Sequence, residues 1–363
     1  MRKLKILLII VICIIILVLL AFATILIINS INNYKPLKEE VLIKSSNSLS
    51  IDCDTCTFSF LTWNIGYCGL GKEMDFFYEG GKKVRPSKQL YQKYYDSISK
   101  YLVKNIGIDF ILLQEIDLNS KRSYRNNQYQ HFCSILNSHT GFYAVNYDVK
   151  FVFLPLNNPM GKVQSGLACF SKYEPYTAIR YSLPGSYKWP KNLFFFDRCI
   201  IVSKYLLKNN RELVIINVHN SAFDDAIDIR EKEMNFIKGL MQAEYKKGNY
   251  VVAGGDWNIN PYGFKVDKVK SSYKVKTIKP SIESSFFDEG WQWVFDNYIP
   301  TNRDVKMEYK QSETNTTILD FFIVSPNVKI LYIKTEELHF NFSDHNPVKM
   351  KIQIQLNNNQ SES

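Results

Sequence analysis

The sequence predicts one α/β sandwich, two sheets packed face to face with helices outside, behind a single N-terminal transmembrane helix. Three observations predict it. Apolar runs of strand length outnumber helical ones, which excludes a simple doubly wound sheet, and two facing sheets would bury both sets of strands. The chain has 363 residues, 46% of them hydrophobic, with no internal repeat of fixed period. Once the apolar N-terminus is set aside, roughly 300 residues remain, enough for one large core.

The N-terminus is justified first. Arg2, Lys3 and Lys5 precede the run "ILLIIVICIIILVLLAFATILII" (6–28). A bilayer-spanning helix needs about 20 apolar residues, and this run exceeds a usual signal-peptide core. Ala21-Phe22-Ala23 offers a small-x-small cleavage site, so a cleaved signal peptide is the rival reading; the apolar run nevertheless continues beyond it. The basic tip (1–5) predicts a cytoplasmic N-terminus, a single-pass anchor at 6–28 and everything after Asn29 outside the cytoplasm. Lys35 and Lys38 weaken that orientation without reversing it. Residues 29–56, with Pro36 and "SSNSLS", read as a linker. The tail 356–363 reads as disordered.

Within the intervening domain, 57–355, "FSFLTW" (58–63) reads as a strand and 87–107 as a helix closed by glycine. "DFILLQEI" (109–116) is a buried strand and 130–139 a shorter helix. Strand-like runs follow at 142–147, 166–171, 176–182, 194–207 and 212–219. A long amphipathic helix from about Asp225 to Tyr245 ends before Gly248. Strands at 250–255, 319–324, 329–335 and 347–355 close the domain.

Composition narrows the chemistry. The formal charge is +10, of which Arg2, Lys3 and Lys5 carry three units. The remaining mild basic excess suits phosphate-bearing partners or an anionic membrane face, and a solvated basic surface explains it equally. The seven cysteines have no zinc-like spacing with the five histidines, which argues against a structural zinc site. Cys53 and Cys56 lie in a polar lead-in rather than at a helix start, so a local disulfide or two free thiols fit better than a redox motif. Cys133, Cys169 and Cys199 read as core packing. Nothing points to an obligate protein partner.

Polar residues recur where apolar strands stop. Asn64 follows "FSFLTW", Glu115 follows "DFILLQ", and His219 follows "LVIINV". Asp256 and Asn258 follow "VVAGG", Asp320 opens "DFFIV", and Asp344-His345 precede the last strand. Each has a plainer reading: a turn cap for Asn64, a core histidine for His219, an Asx turn for Asp256 and Asn258, and a strand start for Asp320. Six strand ends carrying Asn, Glu, His or Asp together predict one shared rim.

Taken in order, "TWNIG", "LLQEID", "NVHNS", "GGDWNINP", "LDFFIVS" and "SDHNPV" resemble the signature of the endonuclease/exonuclease/phosphatase superfamily. That group includes pancreatic-type deoxyribonucleases, abasic-site endonucleases, inositol-polyphosphate phosphatases and neutral sphingomyelinases. The resemblance spans roughly residues 57–355. It implies a four-layer sandwich of two packed mixed β-sheets flanked by helices, and a metal-dependent phosphoric ester hydrolase. It makes Glu115 the main metal ligand, assisted by Asn64 and Asp344, with Mg²⁺ as cofactor and Mn²⁺ as the alternative; hard oxygen ligands suit either. Asp256 would orient or deprotonate the attacking water, and Asn258 would fix water and phosphate. His345 would contact phosphate with its ring held by Asp320, and His219 would be a second phosphate contact or general acid.

The substrate is less determined. A histidine at 219 departs from abasic-site endonucleases, which usually carry tyrosine there. "SGLACFSKYEP" (165–175) is similar to a strand frequent in sphingomyelinase-like members. An anchor would hold the site close to lipid headgroups, which favours a phospholipid phosphodiester over DNA or RNA. The rival of another class is an inactive binding module, against which Glu115 and His345 stand. The excursion 66–88, ending in Lys82, Lys83 and Arg85, could cradle phosphate or be an ordinary loop. "YKWPKNLFFFDR" (187–198) could stack on bases, meet a membrane or bury its phenylalanines, with Arg198 as a further phosphate contact.

Overall fold

A computed structural model describes residues 2–45, 49–53, 55–222, 227–278 and 282–356. The chain opens with α1 (Arg2–Ile31) and β1 (Glu39–Lys44). Then come β2 (Thr55–Asn64), α2 (Lys88–Lys104), β3 (Phe110–Asp117) and α3 (Gln128–Ile135). β4 (Thr140–Val152), β5 (Gly161–Ser171), β6 (Thr177–Ser182), β7 (Cys199–Leu206) and β8 (Glu212–His219) run on to α4 (Ile227–Lys246). β9 (Tyr250–Asp256), β10 (Lys274–Val275), β11 (Gln292–Val294) and β12 (Asn302–Arg303) follow. β13 (Asn315–Thr317), β14 (Asp320–Val324), β15 (Lys329–Thr335) and β16 (Val348–Gln355) complete the fold.

Two large sheets carry it, in the orders β1-β6-β7-β8-β9-β14-β11 and β15-β16-β2-β3-β5-β4. Both are mixed, because β8 runs parallel to β9 and β2 parallel to β3 among antiparallel neighbours. The alternation of β2 explains its position: Phe58 and Phe60 point to one face, Leu61 and Trp63 to the other. The first pair enters the core between the sheets with Phe110, Ile201, Val252, Phe322 and Met350. The second pair packs under α2, whose Tyr91, Ile98 and Leu102 recur at helical spacing. On the far side Met234, Ile237 and Met241 of α4 cover Val214, Ile216 and Val251. The layers are therefore helix, sheet, sheet, helix, as the sequence predicts.

Several boundaries differ from the sequence expectation. The stretch 29–56 is not an unstructured linker: α1 continues to Ile31, and β1 pairs antiparallel with β6 at a sheet edge. Its polar residues concealed the strand, since an edge strand needs little apolar surface. Cys53 and Cys56 are joined by a disulfide. α2 closes at Asn105, whose Nδ2 donates to the Tyr101 carbonyl (2.8 Å), rather than at Gly107. The strand expected at 194–207 starts only at Cys199. Before it, Phe194 and Phe196 turn onto Phe153 and Tyr147 instead of continuing a ladder. Asp225, the expected start of the long helix, and the tail 357–363 lie outside the described residues.

The excursion 66–88 is held by Arg303, which is 1% exposed. Its guanidinium donates to the carbonyls of Leu70, Gly71 and Met74 at 2.8–3.1 Å, and also to those of Asp304 and Met307. One cation satisfying several loop carbonyls fixes irregular backbone that no sheet supports.

Candidate active site

The register of the strands builds the site. Parallel pairing of β8 and β9 sets His219 beside Asp256, and antiparallel pairing of β9 and β14 sets Asp320 opposite the same residue. Three polar groups thus form one row at the ends of apolar strands. Gly255 permits this: a Cβ there would lie 2.0 Å from the Val218 carbonyl oxygen. The two glycines before Asp256 serve close strand approach within β9, not a bend after it.

From the other sheet, β2 ends on Asn64 beside Gln114 of β3. The β3–β5 ladder shifts between Leu113 and Ile116, and Glu115 takes a φ of 57° inside that bulge. A left-handed glutamate is costly, and it turns the side chain from the core to the rim. Directly below, Gln114 Nε2 donates to Asn217 Oδ1 (2.7 Å), and Asn217 Nδ2 donates to the Leu113 and Ala168 carbonyls (3.1 and 3.0 Å). This buried amide pair locks the two sheets together beneath the site. The turn before β16 brings Asp344 and His345, held by Trp63 Nε1 donating to the His345 carbonyl (2.9 Å). Ser343 Oγ donates to the Asn64 carbonyl (2.8 Å).

Side chains then meet. Asn64 Nδ2 donates to Asp256 Oδ2 (3.0 Å) and Glu115 Oε1 (3.3 Å). His345 Nδ1 meets Asp320 Oδ2 at 2.7 Å, and its Nε2 stands 3.7 Å from Asp256 Oδ2. His219 Nε2 lies 3.7 Å from Asp256 Oδ2 and 3.9 Å from Glu115 Oε1. Asp344 Oδ1 accepts from Ser343 Oγ (3.2 Å) and faces Gly66, where a Cβ would come within 2.7 Å of it. Asn258 completes an Asx turn, its amide donating to Asp256 Oδ1 (3.0 Å), while its Nδ2 donates to the Asn220 carbonyl (2.8 Å). Its side-chain donor is thus turned to the backbone rather than to a ligand.

Burial and mutual repulsion govern the charges. Burial raises the Glu115 carboxyl and Asp344 adds to it, against Arg122. Burial likewise raises Asp344, and lifts Asp320 to about 6 against the pull of His345. The two imidazoles part ways. Burial disfavours charge on His345, but Asp320 and Asp256 overcome it and raise that ring well above the usual range. Burial, Arg198 and the His345 charge push His219 well below it. The site therefore holds one imidazolium and one neutral imidazole.

Among the remaining predicted contacts, Arg198 is buried, its guanidinium 3.9 Å over Phe196, and its Nη1 has no hydrogen-bond partner among the described residues. Burial disfavours its charge, and Glu233, Glu115 and Asp256 act against that. Lys82 and Arg85 are not joined to the cluster. Lys82 is exposed with its backbone amide on Asp75, and Arg85 donates to Asn158. Sequence reasoning missed Asn302, whose Nδ2 lies 2.9 Å from His345 Nε2. No apolar run precedes it, so nothing marked it as a strand end. Gln114 and Asn217 did carry a signal, amides interrupting apolar strands beside the motifs.

A divalent cation fits the Glu115 side of this rim. The donors there are hard oxygens of Glu115 and Asp344, with the Asn64 oxygen, which also accepts from the Gly66 amide (3.0 Å), beside them. Among the described residues, neither Glu115 nor Asp344 forms an ion pair with a lysine or arginine. Ligand atoms of Asp256, Asp320 and His345 also lie within 4.8 Å of one another. There, however, Asp320 and His345 already satisfy each other.

Carboxylates and imidazoles gathered at the strand ends of a two-sheet sandwich suit the hydrolysis of a phosphoric ester. The chain belongs to the Endonuclease/Exonuclease/phosphatase family, whose sequence model matches residues 61–345. Enzymes of this family use divalent metal ions, in keeping with the donor set. Solved structures agree in fold. A protein described as endonuclease/exonuclease/phosphatase from Beutenbergia cavernae is 13% identical, with a TM-score of 0.54 over 82% of this chain and 72% of that one. A counterpart from Bacteroides vulgatus is 15% identical, with a TM-score of 0.50 over 82% and 98%. ANGEL2, described as a 2',3'-cyclic phosphatase, is 14% identical, with a TM-score of 0.54 over 89% and 100%. Among curated proteins, none matches in sequence.

Proposed function

We propose that the protein is a membrane-anchored, Mg²⁺-dependent phosphodiesterase with its catalytic domain outside the cytoplasm, hydrolysing a phospholipid headgroup ester. The observation that carries the reaction is the Asp256 carboxylate, flanked by His219 and His345 at 3.7 Å and fixed by Asn64. Glu115, Asn64 and Asp344 would hold Mg²⁺, or Mn²⁺ in its stead. When bound, the cation would offset phosphate charge and polarise the scissile ester.

This chain's own groups do the rest. Asp256 Oδ2 accepts the proton of the attacking water, a task for which the Asn64 and Asn258 donors orient it. The Asp320 carboxylate holds Nδ1 of His345, and Nε2, which meets the Asn302 side-chain amide at 2.9 Å, would turn to a phosphoryl oxygen. His219, kept neutral, contributes Nε2 near the leaving group. Arg198 Nη1 supplies a second positive donor to the phosphate. Asn258 acts through Asp256 as a positioning residue. The lipid preference is supported by α1, whose 30 residues are long and apolar enough to cross a bilayer.

The test is the full chain in detergent with Mg²⁺, assayed on sphingomyelin, phosphatidylcholine, plasmid DNA and RNA. We expect lipid cleavage that needs the metal and falls by at least about 10²-fold in Asp256→Ala. Activity persisting in that variant would overturn the mechanism. DNA or RNA cleavage without lipid cleavage would reassign the substrate.

A further inference from the structure

The end of α1 is bound to the catalytic domain. Asn29, 3% exposed, donates from Nδ2 to the Phe151 carbonyl (3.0 Å) and accepts at Oδ1 from the Phe151 amide (3.2 Å). A carboxamide at the end of an apolar helix thus satisfies both backbone groups of one β4 residue. About two turns earlier, the ring of Phe22 lies edge-on to Phe153, with centroids 5.8 Å apart. Phe153 meets Phe194 in the same way at 5.5 Å. Two attachments separated along one helix fix its tilt as well as its end.

That geometry sets a depth. Phe22 lies inside the apolar run 6–28, about 9 Å short of its end at the helical rise per residue. A bilayer that accommodates the run must therefore also meet whatever stands beside Phe22. What stands there is the tip of the β4–β5 hairpin, with Leu154 exposed and Leu156 81% exposed. Trp189, 66% exposed, lies in the segment leading to Phe194 and is flanked by Lys188 and Lys191. Bare leucines, an indole and lysines suit the headgroup–acyl boundary, where apolar bodies sink and ammonium ends stay wet.

We propose that the β4–β5 tip and the Trp189 segment form a second membrane contact, inserted in the leaflet from which α1 emerges. This rests on reading α1 as a retained anchor, and it deepens the lipid-directed function. The contact is joined to the catalytic rim by packing. Tyr147 Oη donates to the Phe194 carbonyl (3.0 Å), and the Tyr147 ring lies 4.2 Å from that of Phe196. Phe196 in turn sits 6.5 Å from the His219 ring and beneath the Arg198 guanidinium.

The experiment uses the full chain reconstituted into phosphatidylcholine–phosphatidylglycerol vesicles, with brominated phosphatidylcholine as quencher of tryptophan emission. In Leu156→Trp, the emission added over wild type should fall by roughly half in brominated vesicles, as for an indole at the headgroup–acyl boundary. Trp189→Phe should remove most of the quenching seen in the wild type. Tyr332→Trp is the control, on β15 at the sheet edge opposite β4; its added emission should be unaffected. Protein that fails to float with vesicles would overturn the anchored reading, and this contact with it. Flotation with unquenched Leu156→Trp emission would overturn the contact alone. Emission shielded equally in detergent, and only in a dimer, would assign the face to a second copy.

Discussion

At the scale of single residues, the site is built from side chains that burial alone would expel. Glu115 combines a left-handed backbone with a carboxyl whose charge burial and Asp344 disfavour. Neither feature helps folding, and strain of this kind costs about 1–3 kcal/mol. Glu115→Gln keeps the shape and removes the charge. Its activity should fall by at least about 10²-fold, while the melting temperature without added metal stays level or rises. A variant that lost both equally would show that Glu115 is mainly structural. The contrast with Asn258 is instructive. Both stand at strand ends with positive φ, yet the Asn258 donor is turned to Asn220 while Glu115 faces the rim. Residue type and strand position were visible in the sequence for both; the direction each side chain takes depends on neighbours from other strands, and was not.

At the scale of elements, β7 and α4 show how a charge network joins a helix to a sheet. Glu244 near the end of α4 accepts from Lys247 Nζ and Asn249 Nδ2, each at 2.8 Å, and pairs with Lys204 of β7 at 2.9 Å. Burial pushes its carboxyl up, but these three donors overcome that and hold it below its ordinary value of 4.5. A depressed folded-state value means stability that is fully present above the ordinary value and is lost as pH falls through the lowered one. Glu244→Gln should therefore destabilise by about 2 kcal/mol at neutral pH, by chemical denaturation. The gap should start to narrow as pH falls below the ordinary value and close below the lowered one, where the wild-type carboxyl also becomes neutral. A gap unchanged across that range would mean that packing, not charge, is at work. The strands flanking this network, β7 to β9, were legible because their apolar runs are nearly unbroken. β1 and the short β10–β13 pieces were not, since edge and two-residue strands bury too little to leave a periodic trace.

At the scale of the whole molecule, six motifs scattered from Asn64 to His345 meet because the two sheets present their strand ends to one rim. The sequence showed that these ends were polar and ordered, which sufficed for the rim. Asn302, the Gln114–Asn217 tie and the Arg303 staple arise only from the three-dimensional path. The same assembly concentrates Glu115, Asp344, Asp256 and Asp320, with the charges of Arg122, Arg198, Arg303 and His345 acting on them. A molecule that gathers carboxylates this way should be more stable once a divalent cation joins them, since a ligand for the folded state alone stabilises it by mass action. At Mg²⁺ about 100-fold above its dissociation constant the gain is about 2.7 kcal/mol, or a rise in melting temperature of roughly 5 °C for a domain of this size. Chelation should reverse it, Glu115→Gln should abolish it, and Glu244→Gln, remote from the rim, should keep it. A wild type whose melting temperature ignores Mg²⁺ while its activity requires it would mean that the cation enters only with substrate, and that these carboxylates do not form a site by themselves.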